Sequence, residues 1–177
     1  CSQIFKVFYL KDKKLLVRSF ISYVRPRLEY CSTVWSPYYL KDIILIENVQ
    51  KRFTKRLFSN SALAYNERLV ALNLESLEER RVKSDVIECF KRIRKLTSRG
   101  NNFFEYSKNK YNDRQNLFVE YTRTDMRKFW FANRTVRVWN SLSNDLKRAK
   151  TLFSFKSILK QTNLYQFCRG PGSNGRD

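Results

Sequence analysis

Residues Tyr23 to Lys55 read YVRPRLEYCSTVWSPYYLKDIILIENVQKRFTK, which sets two apolar faces, two prolines and a basic stripe in one order. Upstream, Leu16, Phe20 and Val24 recur at a spacing of four. This predicts a helix over about residues 11–25 that runs into Pro26 and is bent or broken there, because proline lacks the amide donor and crowds the preceding turn. A second helical piece over 27–35 carries Leu28, Cys31 and Trp35, with Trp35 and Tyr30 read as packing residues, and Pro37 ends it. Ile43, Ile46, Val49, Phe53 and Leu57 then open a new apolar stripe over 39–58. Lys51, Arg52, Lys55 and Arg56 fall away from that stripe.

Working outward, helices are predicted over 65–72 and 76–97. The second opens on a capping box, Ser76 with Glu79, and puts Glu78 and Glu79 in the positive first turn. Its apolar stripe is Val82, Val86, Cys89 or Phe90, Ile93 and Leu96. A polar cluster at Ser98–Asn102 marks a domain boundary. Beyond it, Phe103–Tyr106 and Leu117–Tyr121 read as short strands of a hairpin, followed by an amphipathic stretch through Trp130, Val136 and Trp139 and a helix over about 154–167. Of the 4 glycines only Gly100 precedes the tail, and no proline lies between Pro37 and Pro171, which suits long helices. The fold class predicted is mainly α: a helical bundle over 1–98, a smaller α+β module with a short hairpin over 99–168, and a disordered tail over 169–177.

A chain of 177 residues has room for one sizeable core or two small domains. With 42% hydrophobic and 15% aromatic residues it is no disordered basic tail. Lys and Arg number 36 against 16 Asp and Glu, and a formal net charge of +20 calls for an anionic partner. Nucleic acid is the first such partner and a membrane surface the second. No stretch approaches the ~18 apolar residues of a spanning helix, and no signal sequence is recognisable. The expectation is therefore an intracellular protein, nuclear or cytoplasmic, not secreted and not bound to a membrane.

Histidine is absent, which removes the commonest general base and the imidazole metal ligand together. The 4 cysteines form no C-x-x-C pair, so neither a zinc knuckle nor a disulfide framework is encoded, and Cys31 and Cys89 read as small core residues. The aspartates stand singly at Asp12, Asp42, Asp85, Asp113, Asp125, Asp145 and Asp177, without the clustered pair that two-metal nucleotidyl transfer needs. Glu78 and Glu79 are followed at once by Arg80 and Arg81, which favours helix-dipole and ion-pair roles over a metal site. No catalytic residue and no cofactor is assigned to this chain, and opening on Cys1 it is expected to be a piece of a longer polypeptide.

Val24, Pro26, Leu28, Glu29, Tyr30, Ser32, Val34, Trp35, Ser36 and Pro37, followed by Ile46, Glu47, Val49, Gln50, Lys51 and Arg52, form an order that resembles a known module. It is the segment after the polymerase palm in reverse transcriptases of LINE-type non-LTR retrotransposons, particularly the Jockey-like branch. There the pattern is V-x-P-x-L-E-Y-x-S-x-V-W-S-P, then L-E-x-V-Q-[KR]-R. The resemblance continues through Tyr65, Glu67, Arg68, Leu69, Ser76, Leu77, Glu78, Arg80, Arg81 and Asp85. It resumes at Arg127, Lys128, Phe129, Phe131, Asn133, Arg134, Val136, Trp139, Asn140, Ser141 and Leu142, and covers most of residues 15–160. Ser143 stands where the family usually has proline.

The resemblance implies that 1–98 is a thumb-like bundle. It also implies that the parent protein is an RNA-directed DNA polymerase whose Asp-Asp palm, with its Mg²⁺, lies upstream in the same polypeptide. This chain would not itself be an enzyme. It would grip template RNA, RNA:DNA hybrid or target DNA within a ribonucleoprotein. A stand-alone RNA-binding or chaperone-like protein, and a decayed element remnant, are the alternatives.

Three basic clusters are candidate contacts. Lys51 with Lys55 and Arg52 with Arg56 form two i, i+4 rows, a ridge able to track a phosphate backbone. The bland alternative is a solvated face, partly balanced by Glu47 one turn earlier. Lys83, Lys91, Arg94 and Lys95 form a second candidate. The third is Arg123, Arg127, Lys128, Arg134 and Arg137, interleaved with Phe129, Trp130 and Phe131, where guanidinium contacts and base stacking combine on single strands. Its alternative is that these aromatics fill a small core.

Overall fold

A computed structural model of the chain describes residues 5–6, 12–58, 62–97, 103–108 and 115–171. The protein divides into two compact units, Cys1–Arg81 with Cys168–Asp177, and Val82–Phe167. The described residues are mainly helical, as expected. The division falls within a helix between Arg81 and Val82, whereas the sequence placed a boundary at 98–102, which lies outside the described residues.

In the first unit, helix α1 (Lys13–Ser19) does not stop at the proline. It passes through a π-helical turn, Phe20–Val24, into α2 (Arg25–Glu29). The amide of Arg25 reaches back to the Phe20 carbonyl. The wider turn relocates the carbonyls that the Pro26 ring would crowd, so the predicted break is absorbed without ending the helical path. The helix predicted over 27–35 is interrupted instead. Tyr30 is extended and Cys31 is left-handed at φ 51°, before the single turn of α3 (Ser32–Trp35). That turn rotates the expected Leu28/Cys31/Trp35 stripe out of register. Cys31 is exposed, and Trp35 and Tyr30 are 41% and 76% exposed, so none of the three is a core residue.

Helix α4 (Leu40–Leu57) is followed by α5 (Tyr65–Ala71), and α6 (Leu77–Ile93) begins in this unit. Leu16, Val17, Phe20, Phe53, Leu57, Tyr65, Leu69 and Leu74 make the core, with the Phe20 and Phe53 rings stacked at 4.3 Å. Helix α5 closes on a left-handed Asn73 (φ 51°), whose amide bonds Val70 while that of Leu74 bonds Leu69, a Schellman ending. Ser76 caps α6 through Oγ, which accepts from the Glu79 amide at 3.1 Å.

A polar lock sits inside this apolar core. Glu47, fully buried on α4, accepts from the Tyr65 hydroxyl at 2.5 Å and from the amides of Leu77 and Glu78 at 3.1 and 3.2 Å. It thereby caps the first turn of α6 from another helix, where the dipole favours a carboxylate. Gln50, one turn on, donates to Tyr65 Oη at 3.2 Å and to the Glu75 carbonyl at 2.9 Å. The tail returns to the same place: the amides of Arg169 and Gly170 bond the Glu78 carboxylate at 3.0 and 2.7 Å. A Cβ at Gly170 would lie 2.6 Å from Ile43 Cγ2, so any larger residue there would have to displace the buried Ile43 side chain. The disordered tail expected from 169 onward is thus corrected at Arg169 and Gly170, and residues 172–177 lie outside the described set.

In the second unit, α6 runs on to Ile93 and ends on a left-handed Lys95 (φ 52°), with the amides of Lys95 and Leu96 bonding Arg92 and Lys91. This Schellman ending stops the helix short of the predicted 97 and leaves Leu96 exposed. Helices α7 (Asp125–Lys128), α8 (Phe131–Ser141), α9 (Asn144–Lys147) and α10 (Leu152–Gln161) complete the unit. Val86, Cys89, Phe90, Val136, Trp139, Leu146, Phe155 and Leu159 are among its core, with Phe90 stacked on Phe155 at 4.2 Å.

The predicted α+β character with a hairpin is not found among the described residues. One antiparallel bridge, Tyr106 with Leu117, stands where two strands were expected. Asn140 covers the edge of Leu117 that faces away from Tyr106: its side-chain amide accepts from the Leu117 N–H at 2.8 Å and donates to the Leu117 carbonyl at 2.9 Å, so a helix side chain satisfies the backbone groups that a third strand would use. Trp139 adds a bond from Nε1 to the Gln115 carbonyl at 3.0 Å.

Urea denaturation distinguishes lock from surface. Glu47→Ala is expected to cost about 3–5 kcal/mol, because it strands two helix amides, a phenol and the charge of Arg81 in the core. Trp35→Ala is expected to cost only about 1 kcal/mol, the value of one exposed hydrogen bond and partial packing. Asn140→Ala is expected to cost about 2–3 kcal/mol by leaving both Leu117 backbone groups unpaired.

Candidate nucleic-acid interface

On α4 the inward positions are Ile43, Glu47, Gln50, Phe53, Thr54 and Leu57, all buried. Helical geometry then turns Arg52, Lys55 and Arg56 outward, and all three are exposed. They take part in no ion pair among the described residues. Lys51 is half-buried, its ammonium 5.8 Å from the centre of the Tyr65 ring, and Arg56 lies over Phe5 at 4.3 Å. Glu47 does not balance this ridge from the surface, as the sequence suggested, because its carboxylate is spent inside on Tyr65 and α6.

The charges of the lock are strongly perturbed. Burial pushes the Glu47 carboxyl above the usual range, with the Tyr65 and amide donors and Arg81 pulling the other way. Burial and the neighbouring Glu47 charge raise the Tyr65 hydroxyl, which keeps it a donor. Arg81 is buried, and desolvation lowers its pKa against the opposing charges of Glu47 and Glu78. Arg80 pairs with Glu29, through a second contact at 2.9 Å, and with Glu75 at 3.5 Å, the ion-pair role read for it from the sequence.

The second cluster is not one open face. Lys83 is buried. Lys91 pairs with Glu88 at 3.4 Å, and Arg94 donates to the carbonyls of Lys147 and Ala149 at 3.4 and 3.1 Å. Lys95, at the helix terminus, alone of the four is exposed with no ion pair or hydrogen-bond partner for its side chain among the described residues.

The third cluster separates by role. Arg134 makes a two-point pair with Asp85, at 2.8 and 3.1 Å, and donates to the Phe129 carbonyl at 3.1 Å, so it is a strut of the unit and not a free cation. Arg127 is exposed, paired with both Glu120 oxygens at 3.0 Å, and lies over the Trp130 ring at 5.1 Å. Its hydrogen bond holds the Glu120 carboxyl below the usual range. Arg123 and Arg137 are exposed and Lys128 is half-buried over Phe129 at 5.4 Å. Phe131 and Trp139 are core, as the alternative reading had it, whereas Trp130 stays 39% exposed and meets Phe103 edge-to-face at 5.4 Å.

Around Trp130 the surface is hollowed. One hollow of about 350 Å³ is lined by Phe103, Phe118 and Trp130 with Glu105, Glu120 and Arg127. Another of about 370 Å³, sharing Glu120, is lined by Lys128, Arg137, Val119 and Tyr121. The sequence reading missed Phe103 and Phe118 as site residues. The signal was present in the strand-like alternation, where Leu117 turns into the core and Phe118 turns out.

No family model, curated protein or solved structure matches this chain.

Strut and free cation are separable by experiment. Arg134→Ala is expected to cost about 3–5 kcal/mol in urea denaturation, because it removes the two-point pair made to the buried Asp85 carboxylate. Arg137→Ala is expected to stay within about 0.5 kcal/mol of the parent.

Proposed function

We propose that this chain is a non-catalytic nucleic-acid-binding segment of a retrotransposon RNA-directed DNA polymerase, gripping template RNA and RNA:DNA hybrid through their phosphate backbones. The observation that carries the binding is the exposed ridge Arg52, Lys55 and Arg56, with no ion pair among the described residues, in a chain of net charge +20. The ordered motifs of the sequence support the assignment to the polymerase. Their most informative residues, Glu47, Gln50, Tyr65 and Ser76, belong to one interlocked framework that orients the ridge. Recognition rests on charge and shape, since the signal in the sequence is charge and no base-reading motif accompanies it. Metal-dependent polymerisation would belong to the palm upstream. Among the described residues no helix is long and apolar enough to cross a membrane.

The test is a salt titration of binding to RNA and RNA:DNA hybrid. Affinity is expected to fall steeply between about 50 and about 200 mM salt, and replacing Arg52, Lys55 and Arg56 by Gln is expected to reduce the log–log slope by about 0.7–0.9 per lost phosphate contact. The same variant should keep its helical circular dichroism and melting temperature, since exposed charges add little stability. A flat salt response of the parent chain overturns the reading.

A further inference from the structure

We infer that the paired hollows around Trp130 form a site for an unpaired nucleobase and its phosphate, so that the second unit binds single-stranded nucleic acid by stacking as well as by charge. This rests on the proposed function for the class of ligand, but on separate residues. Phe103, Phe118 and Trp130 line one hollow and as residues are 36%, 58% and 39% exposed, and Arg127 adds a guanidinium over the Trp130 ring. Phe103 and Trp130 meet edge-to-face and Arg92 lies over Phe103 at 4.9 Å, so these rings are held in place, and the part of each left open along the depression is a stacking surface to which a base can offer its π face.

Charge decides the occupant and its direction. Glu120 lies between the two hollows and is neutralised by Arg127. Glu105, at the aromatic hollow, repels a phosphate, while Lys128 and Arg137 at the neighbouring hollow attract one. A nucleotide therefore enters base first, with its phosphate towards Lys128 and Arg137. An aliphatic peptide would satisfy the rings and leave the cations without a partner. A base-paired duplex offers phosphates but keeps its ring faces stacked inside, so it can use only the cationic half.

The full chain is titrated with fluorescent oligo(dT) and oligo(rU), with an abasic oligomer of the same length and charge, and with a duplex. Trp fluorescence is followed in the parent and in Trp130→Phe. Base-bearing single strands are expected to quench Trp130 and to bind about tenfold or more tighter than the abasic oligomer, with DNA and RNA arms showing whether the sugar matters. Phe118→Ala, a change at an exposed ring, should remove that advantage while leaving duplex affinity and its salt slope within about twofold. Equal binding of abasic and base-bearing strands, unchanged by Phe118→Ala, overturns the stacking site while the electrostatic grip stands. Loss of all binding by the parent chain overturns both. Quenching of Trp130 by an acidic, aromatic peptide but by no oligonucleotide assigns the hollows to a protein partner and also overturns it.

Discussion

One buried carboxylate governs the first unit. Glu47 lies where a charge is costly unless it is fully answered, and its answer comes from two other helices: the Tyr65 hydroxyl of α5, and the opening amides and the positive field of Arg81 on α6. Meeting those demands fixes the rotation of α4 about its own axis. With Glu47, Gln50 and Thr54 held inward, Arg52, Lys55 and Arg56 have nowhere to point but outward. The basic ridge is in this sense a product of the polar core, because the same helical register sets both.

That dependence explains what could be read in the sequence and what could not. Helix α4, helix α5 and the start of α6 at Ser76 follow from apolar spacing and cap chemistry, and all three appear close to their expected positions. The true buried stripe of α4 was harder to see, since Glu47, Gln50 and Thr54 occupy core positions in a polar guise. Hydropathy passes over them and selects Ile46 and Val49, which are only half-buried. The π turn ahead of Pro26 and the left-handed Cys31 are backbone adjustments with no hydropathy signal, and Trp35 was lost with them. In the second unit, Leu117–Tyr121 read as a hairpin strand, yet only Leu117 turns inward while Val119 and Tyr121 stay exposed. The sequence could not show that Asn140, on a helix, would bond both backbone groups of Leu117.

The candidate interface was legible as charge but not as availability. Lysines and arginines in a sequence look alike, and their fate depends on which carboxylate or carbonyl comes within reach after folding. Arg134 finds Asp85, Arg80 finds Glu29, Arg94 finds two carbonyls, and Lys83 is covered, so these cations serve the units that hold them. Arg52, Lys55, Arg56, Arg123 and Arg137 face solvent. A net charge counts both kinds together, and only the second kind contributes a field that an approaching polyanion feels unscreened by a local partner.

The bond from the Gly170 amide to Glu78 spans 92 positions of sequence. The first unit is therefore discontinuous, whereas Val82–Phe167 is a continuous stretch that contains its own core. Synthesis makes all of Val82–Phe167 before Arg169 and Gly170 are added, so the first unit waits for a segment that the second unit separates from the rest of it. Until that segment arrives, Glu78 lacks the two tail amides it accepts from. Closing the contact joins positions 92 residues apart and carries the entropy of a long loop.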